Sequence, residues 1–277
     1  MKWRLGDLAG IGVYVHWSFW ILPAWILLSM LSSGGGLPAA LSAVIFVFAV
    51  FGCIVLHELG HALAARQFGI GTRDITLYPI GGVARLERLP RSPTRELAIA
   101  LAGPAVNVAI AGAIFLGAMF VGVGYHSSLL RLPGGSFLVN LLWVNVALVV
   151  FNLLPAFPMD GGRVLRAFLA MHLPYGRATV IAARVGQTVA VLLGLMGLFT
   201  GGTLTLVAIF VFLAAQAELT MARLYGSDSN VAQPYTLEGV MENATVLDED
   251  GIVWLGDVRT RPYGGGVIRI VAYHPYR

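Results

Sequence analysis

Long apolar runs dominate the chain, and short polar interruptions divide them. Six such segments can be marked, at roughly 14–32, 38–66, 95–124, 136–157, 179–200 and 202–224. Several exceed the ~18 consecutive apolar residues that distinguish a membrane-crossing helix from a buried one. The joints "SSGGGLP", "YHSSLLRLPGG" and "TGGT" carry the Gly, Pro and Ser that turns require. One interruption has a different period. In "TRDITLYPIGGVARLERL", residues 72–89, β-branched and polar positions alternate around Gly81-Gly82, predicting a strand pair rather than a helix. After Gly226 the chain turns polar, with short strand-like runs such as "GIVWL" and "GVIRIVAY".

Composition supports this pattern. Of 277 residues, 57% are hydrophobic and 12% are charged, against about 25% charged in an ordinary soluble domain. The expected fold class is an all-α polytopic membrane protein. It would have about six transmembrane helices, a short membrane-associated β segment and a small C-terminal tail. Residues 1–225 would form the membrane domain. Residues 226–277 would form a cytoplasmic tail, either a small β-rich appendage or a partly disordered segment. An N-terminal signal peptide is disfavoured because no small-residue cleavage site follows the first apolar run directly.

The net charge is +4, and 17 of the 18 basic residues are arginine. They do not form the stripe that nucleic acid binding needs, so no nucleic acid partner is expected. They do orient the bundle. Lys2 and Arg4 precede the first segment, and Arg66, Arg73, Arg85, Arg88, Arg91 and Arg95 separate the second from the third. Arg163, Arg166, Arg177 and Arg184 follow the fourth, Arg223 closes the sixth, and Arg131 alone falls on the opposite side. The positive-inside rule then places both termini in the cytoplasm of a multi-pass protein of the cell (inner) membrane. The one cysteine, Cys53, lies inside a segment, which excludes a disulfide framework and reads as a small core residue.

Polar groups inside these segments carry the candidate chemistry. "HELGH" spans residues 57–61. His57 and His61, at i and i+4, share one helical face, and Glu58 stands beside them. Two neutral imidazoles so placed reach one Zn²⁺, with the glutamate as general base toward water. A catalytic zinc needs a third protein ligand, and residues 99–124 offer neither His nor Glu. The best candidate is Asp160 in "FNLLPAFPMDGGR", residues 151–163. There Pro155 and Pro158 break the helix and Gly161-Gly162 allows a tight turn. Asn107 lies within a transmembrane stretch, where its amide either donates to an oxyanion or bridges two helices. Asn152 reads as a cap for the broken helix or a group that orients Asp160. His16 is divided between an interfacial role and a place near the site.

"HELGH" followed about a hundred residues later by "NLLPAFPMDGGR", with "YVHW" at 14–17 and "AGPAVN" at 102–107, resembles the site-2 protease family of intramembrane zinc metalloproteases. The resemblance covers about residues 10–225. It implies His57, His61 and Asp160 as ligands of one Zn²⁺ per chain, Glu58 as catalytic base and Asn107 as a polar aid to the reacting carbonyl. It implies single-span membrane proteins in the lipid bilayer as substrates, and it sets the 72–86 strands near the substrate path. A catalytically silent adaptor and a metal transporter are the alternatives. The intact ligand set argues against the first, and the scarcity of ionisable residues in the outer helix halves argues against the second. Many relatives continue into paired nucleotide-sensing domains, for which the tail after Gly226 is too short, so regulation by adenine nucleotides is not expected.

Overall fold

The alternation Ile11-Gly-Val-Tyr-Val-His16 is a strand signal that the following apolar residues obscure. In the computed structural model it forms a strand whose Ile11, Val13 and Val15 are buried while their neighbours are half-buried. The structure describes residues 2–88, 90, 92–120, 131–132, 135–199, 202–227, 244–246 and 253–255. Contacts divide the chain into two units, Met1–Leu224 and Tyr225–Arg277.

In the first unit, β1 (Lys2–Leu8) and β2 (Ile11–His16) form an antiparallel hairpin. A short 3-10 turn, Trp17–Trp20, leads into α1 (Ile21–Ser32) and then α2 (Gly36–Gln67). β3 (Thr72–Tyr78) and β4 (Gly81–Leu86) form the expected strand pair. β3 also pairs parallel with β2, giving one four-stranded sheet in the order β1-β2-β3-β4. α3 (Pro93–Phe120), a two-residue strand pair β5 (Arg131–Leu132) and β6 (Gly135–Ser136), and α4 (Phe137–Asn152) follow. α5 (Asp160–Ala170), α6 (Tyr175–Phe199) and α7 (Thr203–Ser227) complete the bundle. In the second unit, β7 (Ala244–Val246) pairs antiparallel with β8 (Val253–Leu255). The rest of the expected tail lies outside the described residues.

Three expectations are corrected. The fold is mostly helical but not all-α, because the β segment is a four-stranded sheet that includes the N-terminus. The first apolar segment is a helix only from Trp17, since residues 14–16 belong to β2. The fourth ends at Asn152 rather than at 157, because a residue preceding proline is pushed out of helical conformation and Pro155 lacks the N–H to continue. Among the described residues four helices are long and apolar enough to cross a bilayer, Gly36–Gln67, Pro93–Phe120, Tyr175–Phe199 and Leu204–Ala222, while Trp17–Ser32 and Phe137–Asn152 are shorter. Exposed Leu, Phe, Trp and Met side chains cover their outer faces, as lipid contact demands.

The sheet packs along α2. Val13, Val15 and Leu77 meet Phe51 and Val55, and Ile11 and Ile75 meet Ala62. Asp74 ties three strands together. Its carboxylate accepts from Lys2 Nζ of β1 at 2.7 Å and from Arg85 Nε and Nη2 of β4 at 2.8 Å each. Burial pushes the Asp74 carboxyl up, but the Arg85 and Lys2 bonds outweigh it and hold the group below the usual carboxylate range.

Candidate metal centre

Small residues set the distance between α2 and α3. A Cβ on Gly60 would fall 2.8 Å from the Ala102 carbonyl oxygen, and one on Gly103 would fall 2.2 Å from His61 Nε2 and 2.7 Å from His57 Nε2. The "HELGH" turn is therefore pressed directly onto α3. On the far side, the turn between α4 and α5 delivers Asp160. Gly161 and Gly162 lie so close to the backbone of Leu153, Leu154, Ala156 and Phe157 that a Cβ on either would collide with it, at 2.2 Å in the case of the Leu154 carbonyl. That close approach turns the first residue of α5 inward.

The result is a buried triangle. His57 Nε2 and His61 Nε2 are 3.1 Å apart, and each is 3.1 Å from Asp160 Oδ2. Among the described residues these three form the one cluster whose ligand atoms converge on a metal-sized space. The proton inventory indicates what belongs in it. His61 Nδ1 donates to the Ile99 carbonyl at 2.7 Å, so in the neutral ring Nε2 carries the lone pair. His57 Nδ1 is bonded to Asn107 Oδ1, again an acceptor. Three lone-pair-bearing atoms thus face one another across 3.1 Å. Such an arrangement is repulsive when empty and suits a cation. Tetrahedral ligands about 2.0–2.1 Å from a zinc stand about 3.3 Å apart, close to the spacing seen, so the donor set fits that metal.

Glu58 is half-buried beside the triangle, and its Oε2 accepts from the Ala84 N–H of β4 at 3.0 Å. Gly82 permits this approach, since a Cβ there would lie 2.9 Å from Glu58 Cγ. The sheet therefore touches the candidate base itself. Asn107 is fully buried, with Oδ1 on His57 and Nδ2 on Asn145 Oδ1. One amide hydrogen is left for the reacting carbonyl expected of it. His16 is not drawn into the cluster. It caps the Trp17–Trp20 turn through Ser18, and its ring centroid stands 5.1 Å from that of Tyr78. Asn152 closes α4, and Cys53 is a buried thiol that accepts from Asn145 at 3.4 Å.

Two features escaped sequence reasoning. The first is Asn145, which a run of apolar residues disguises as an ordinary helix position. The second is an ion pair between α3 and α5, both members buried. Arg166 Nε and Nη2 donate to Glu96 Oε1 at 2.9 and 2.6 Å. The guanidinium lies 5.1 Å from the Phe157 ring and 5.2 Å from that of Tyr175. Glu96 precedes Ile99, the carbonyl partner of His61, and Arg166 follows Asp160 on α5, so the pair clasps the two sides of the triangle.

Comparison with known proteins places this geometry. The model of peptidase family M50 matches residues 45–131 and 125–194, a span that contains every residue of the triangle together with Glu58, Asn107 and Asn145. Zinc metalloprotease MJ0392 of Methanocaldococcus jannaschii is 36% identical over 217 residues, covering 78% of this chain and 60% of that protein. Rip3 of Mycobacterium tuberculosis is 35% identical over 266 residues, covering 85% of this chain and 65% of that protein. The chain thus spans about 60 to 65% of the length of these relatives. Among solved structures, the site-2 protease from Methanocaldococcus jannaschii superposes with a TM-score of 0.58 at 34% identity, over 79% of this chain and 95% of that one. With more than half of its residues matched and its fold shared, the chain belongs to peptidase family M50.

Proposed function

We propose that the chain is an intramembrane zinc metalloprotease that hydrolyses peptide bonds within or near the transmembrane segments of single-span membrane proteins. The convergence of two bare imidazole nitrogens and a carboxylate oxygen beside Glu58 carries this reading. His57, His61 and Asp160 would hold one zinc, leaving a position open toward Glu58. Bound there, zinc supplies Lewis-acid chemistry, polarising the scissile carbonyl and making water a better nucleophile. Glu58 takes the proton from the attacking water and returns it to the leaving amine. A substrate helix must expose its backbone to reach these groups, and an unwound segment can add to β4, the last strand of the sheet, as in β-augmentation. Because Glu58 bonds that same strand through Ala84, strand addition and catalysis occur side by side.

The arginine distribution supports six crossings, with α1 and α4 as short spans and both termini cytoplasmic. The test of function is a comparison of wild type with Glu58→Gln and Asp160→Asn, by zinc content and by cleavage of a panel of single-span substrates. The Gln variant should hold about one zinc and lose at least ~100-fold in turnover. The Asn variant should lose both metal and turnover. Undiminished cleavage by Glu58→Gln would refute the assigned base.

A further inference from the structure

Two buried asparagines on different helices end in a chain of hydrogen bonds at His57. Asn107 of α3 and Asn145 of α4 are both 0% exposed, where an amide without partners is costly. Donor and acceptor assignment along the chain runs one way only. The Leu141 carbonyl can only accept, so the Asn145 atom 2.8 Å from it is Nδ2. Asn145 therefore turns Oδ1 toward Asn107, which donates Nδ2 to it at 2.8 Å. Asn107 is left with Oδ1 facing His57, and that oxygen has lone pairs alone. His57 must supply the proton from Nδ1, and its lone pair then resides on Nε2.

We propose that Asn145 is a positioning residue that, by fixing the orientation of the Asn107 amide, holds His57 in the Nδ1–H tautomer and keeps Nε2 free to ligate metal. The proposal rests on the reading of His57 as a zinc ligand. It also explains why the two histidines are served differently. His61 meets a backbone carbonyl, which cannot be reversed. His57 meets a side-chain amide, and a half-turn of that amide would present Nδ2, drive the ring proton to Nε2 and block coordination. Asn145, anchored on Leu141, forbids the half-turn. Asn107 thereby acts through the oxygen it turns to His57, while its remaining amide hydrogen stays available for the reacting carbonyl.

The distinguishing experiment is a double-mutant cycle read by zinc affinity, using chelator competition on the purified full chain. Asn145→Leu should weaken zinc binding by about 10–100-fold, the usual cost of losing an outer partner of a metal-binding histidine. An aspartate at position 107 offers an acceptor to His57 whichever way it turns. Its second oxygen would meet Asn145 Oδ1, acceptor against acceptor, so Asn145→Leu added to Asn107→Asp should cost no zinc affinity or recover some. An Asn145→Leu penalty of equal size in both backgrounds would mark a merely structural role and overturn the proposal. Independently of any fold defect in the variants, ¹⁵N imidazole spectra of zinc-free wild type should show His57 protonated at Nδ1, its signal identified by its loss in His57→Gln. A proton on Nε2 with Nδ1 bare would also overturn the proposal. Wild type that binds no zinc would instead refute the metal-site reading beneath it.

Discussion

At Gly103 one methyl group separates a usable metal site from a blocked one. The Cβ of an alanine there would stand 2.2 Å from His61 Nε2, and the rings cannot retreat because His61 Nδ1 and His57 Nδ1 are each held from behind. Gly103→Ala should therefore lower the zinc content of the purified protein by more than half, measured by atomic emission. Gly112→Ala on the same helix, where a Cβ meets nothing within 4 Å, should retain the full complement. The shared face of His57, Glu58 and His61 was legible in the sequence because donor type and helical spacing are local properties. Asp160, 103 positions from His57, was a candidate only through the broken helix before it and the family resemblance. In the sequence, Gly103 is only one of the small residues of "AGPAVN", of the kind that favours close helix packing. Which atoms fill the space of its missing Cβ depends on the register of α3 against α2, and no local pattern encodes that. Asn145 was hidden for the same reason, since its meaning lies in Asn107, 38 positions away on another helix.

The helices that lie in the six apolar segments were legible as elements because a hydrophobic run of their length has few other readings. In contrast, α5, short and with Arg163 and Arg166 on it, lay in none of them. The N-terminal hairpin was not legible either. Its inner residues, Ile11, Val13 and Val15, lead without a break into Trp17–Ser32, and a short apolar strand joined to an apolar helix shows no change of hydropathy at the junction. Equally invisible was how α3 and α5 are locked. Arg166 read as one of the cytoplasmic arginines and Glu96 drew no reading, yet both are buried, with the guanidinium beside two aromatic rings. Breaking such a pair from one side leaves an uncompensated buried charge, at a cost of about 3–5 kcal/mol. Arg166→Met should thus lower the thermal midpoint in detergent by about 10 °C, and zinc affinity should fall with it because α5 carries Asp160. Glu96→Gln combined with Arg166→Met removes both charges, and more than half of the lost midpoint should return. If the double variant is as unstable as the single, the clasp works through packing rather than charge.

Over the whole membrane unit, the sheet and the arginines constrain how the protein sits in a bilayer. α2 has 32 residues, about 48 Å of helix against a hydrocarbon core of about 30 Å. Part of it therefore extends past the core at one end. The sheet identifies that end, because it packs along α2 from Phe51 to Ala62, and Arg66 closes the same end by donating to the Ala9 carbonyl in the β1–β2 turn at 3.0 Å. Open strand edges are not tolerated against lipid chains, so this flank of α2 must be reached by water or covered by protein. His57 lies nine residues before Arg66, about 13 Å along the axis, on the side where the arginines gather. Water for hydrolysis should then enter from the cytoplasm. Single cysteines at positions 58, 88 and 34 test this, with a membrane-impermeant maleimide applied to intact cells and to inside-out vesicles, and with the buried Cys53 of wild type as background. Positions 58 and 88 should label only in inside-out vesicles, and position 34, in the turn between α1 and α2, only in intact cells. Labelling of position 58 together with position 34 in intact cells would place the site's water on the outer face, and reversal of all three positions would invert the proposed orientation.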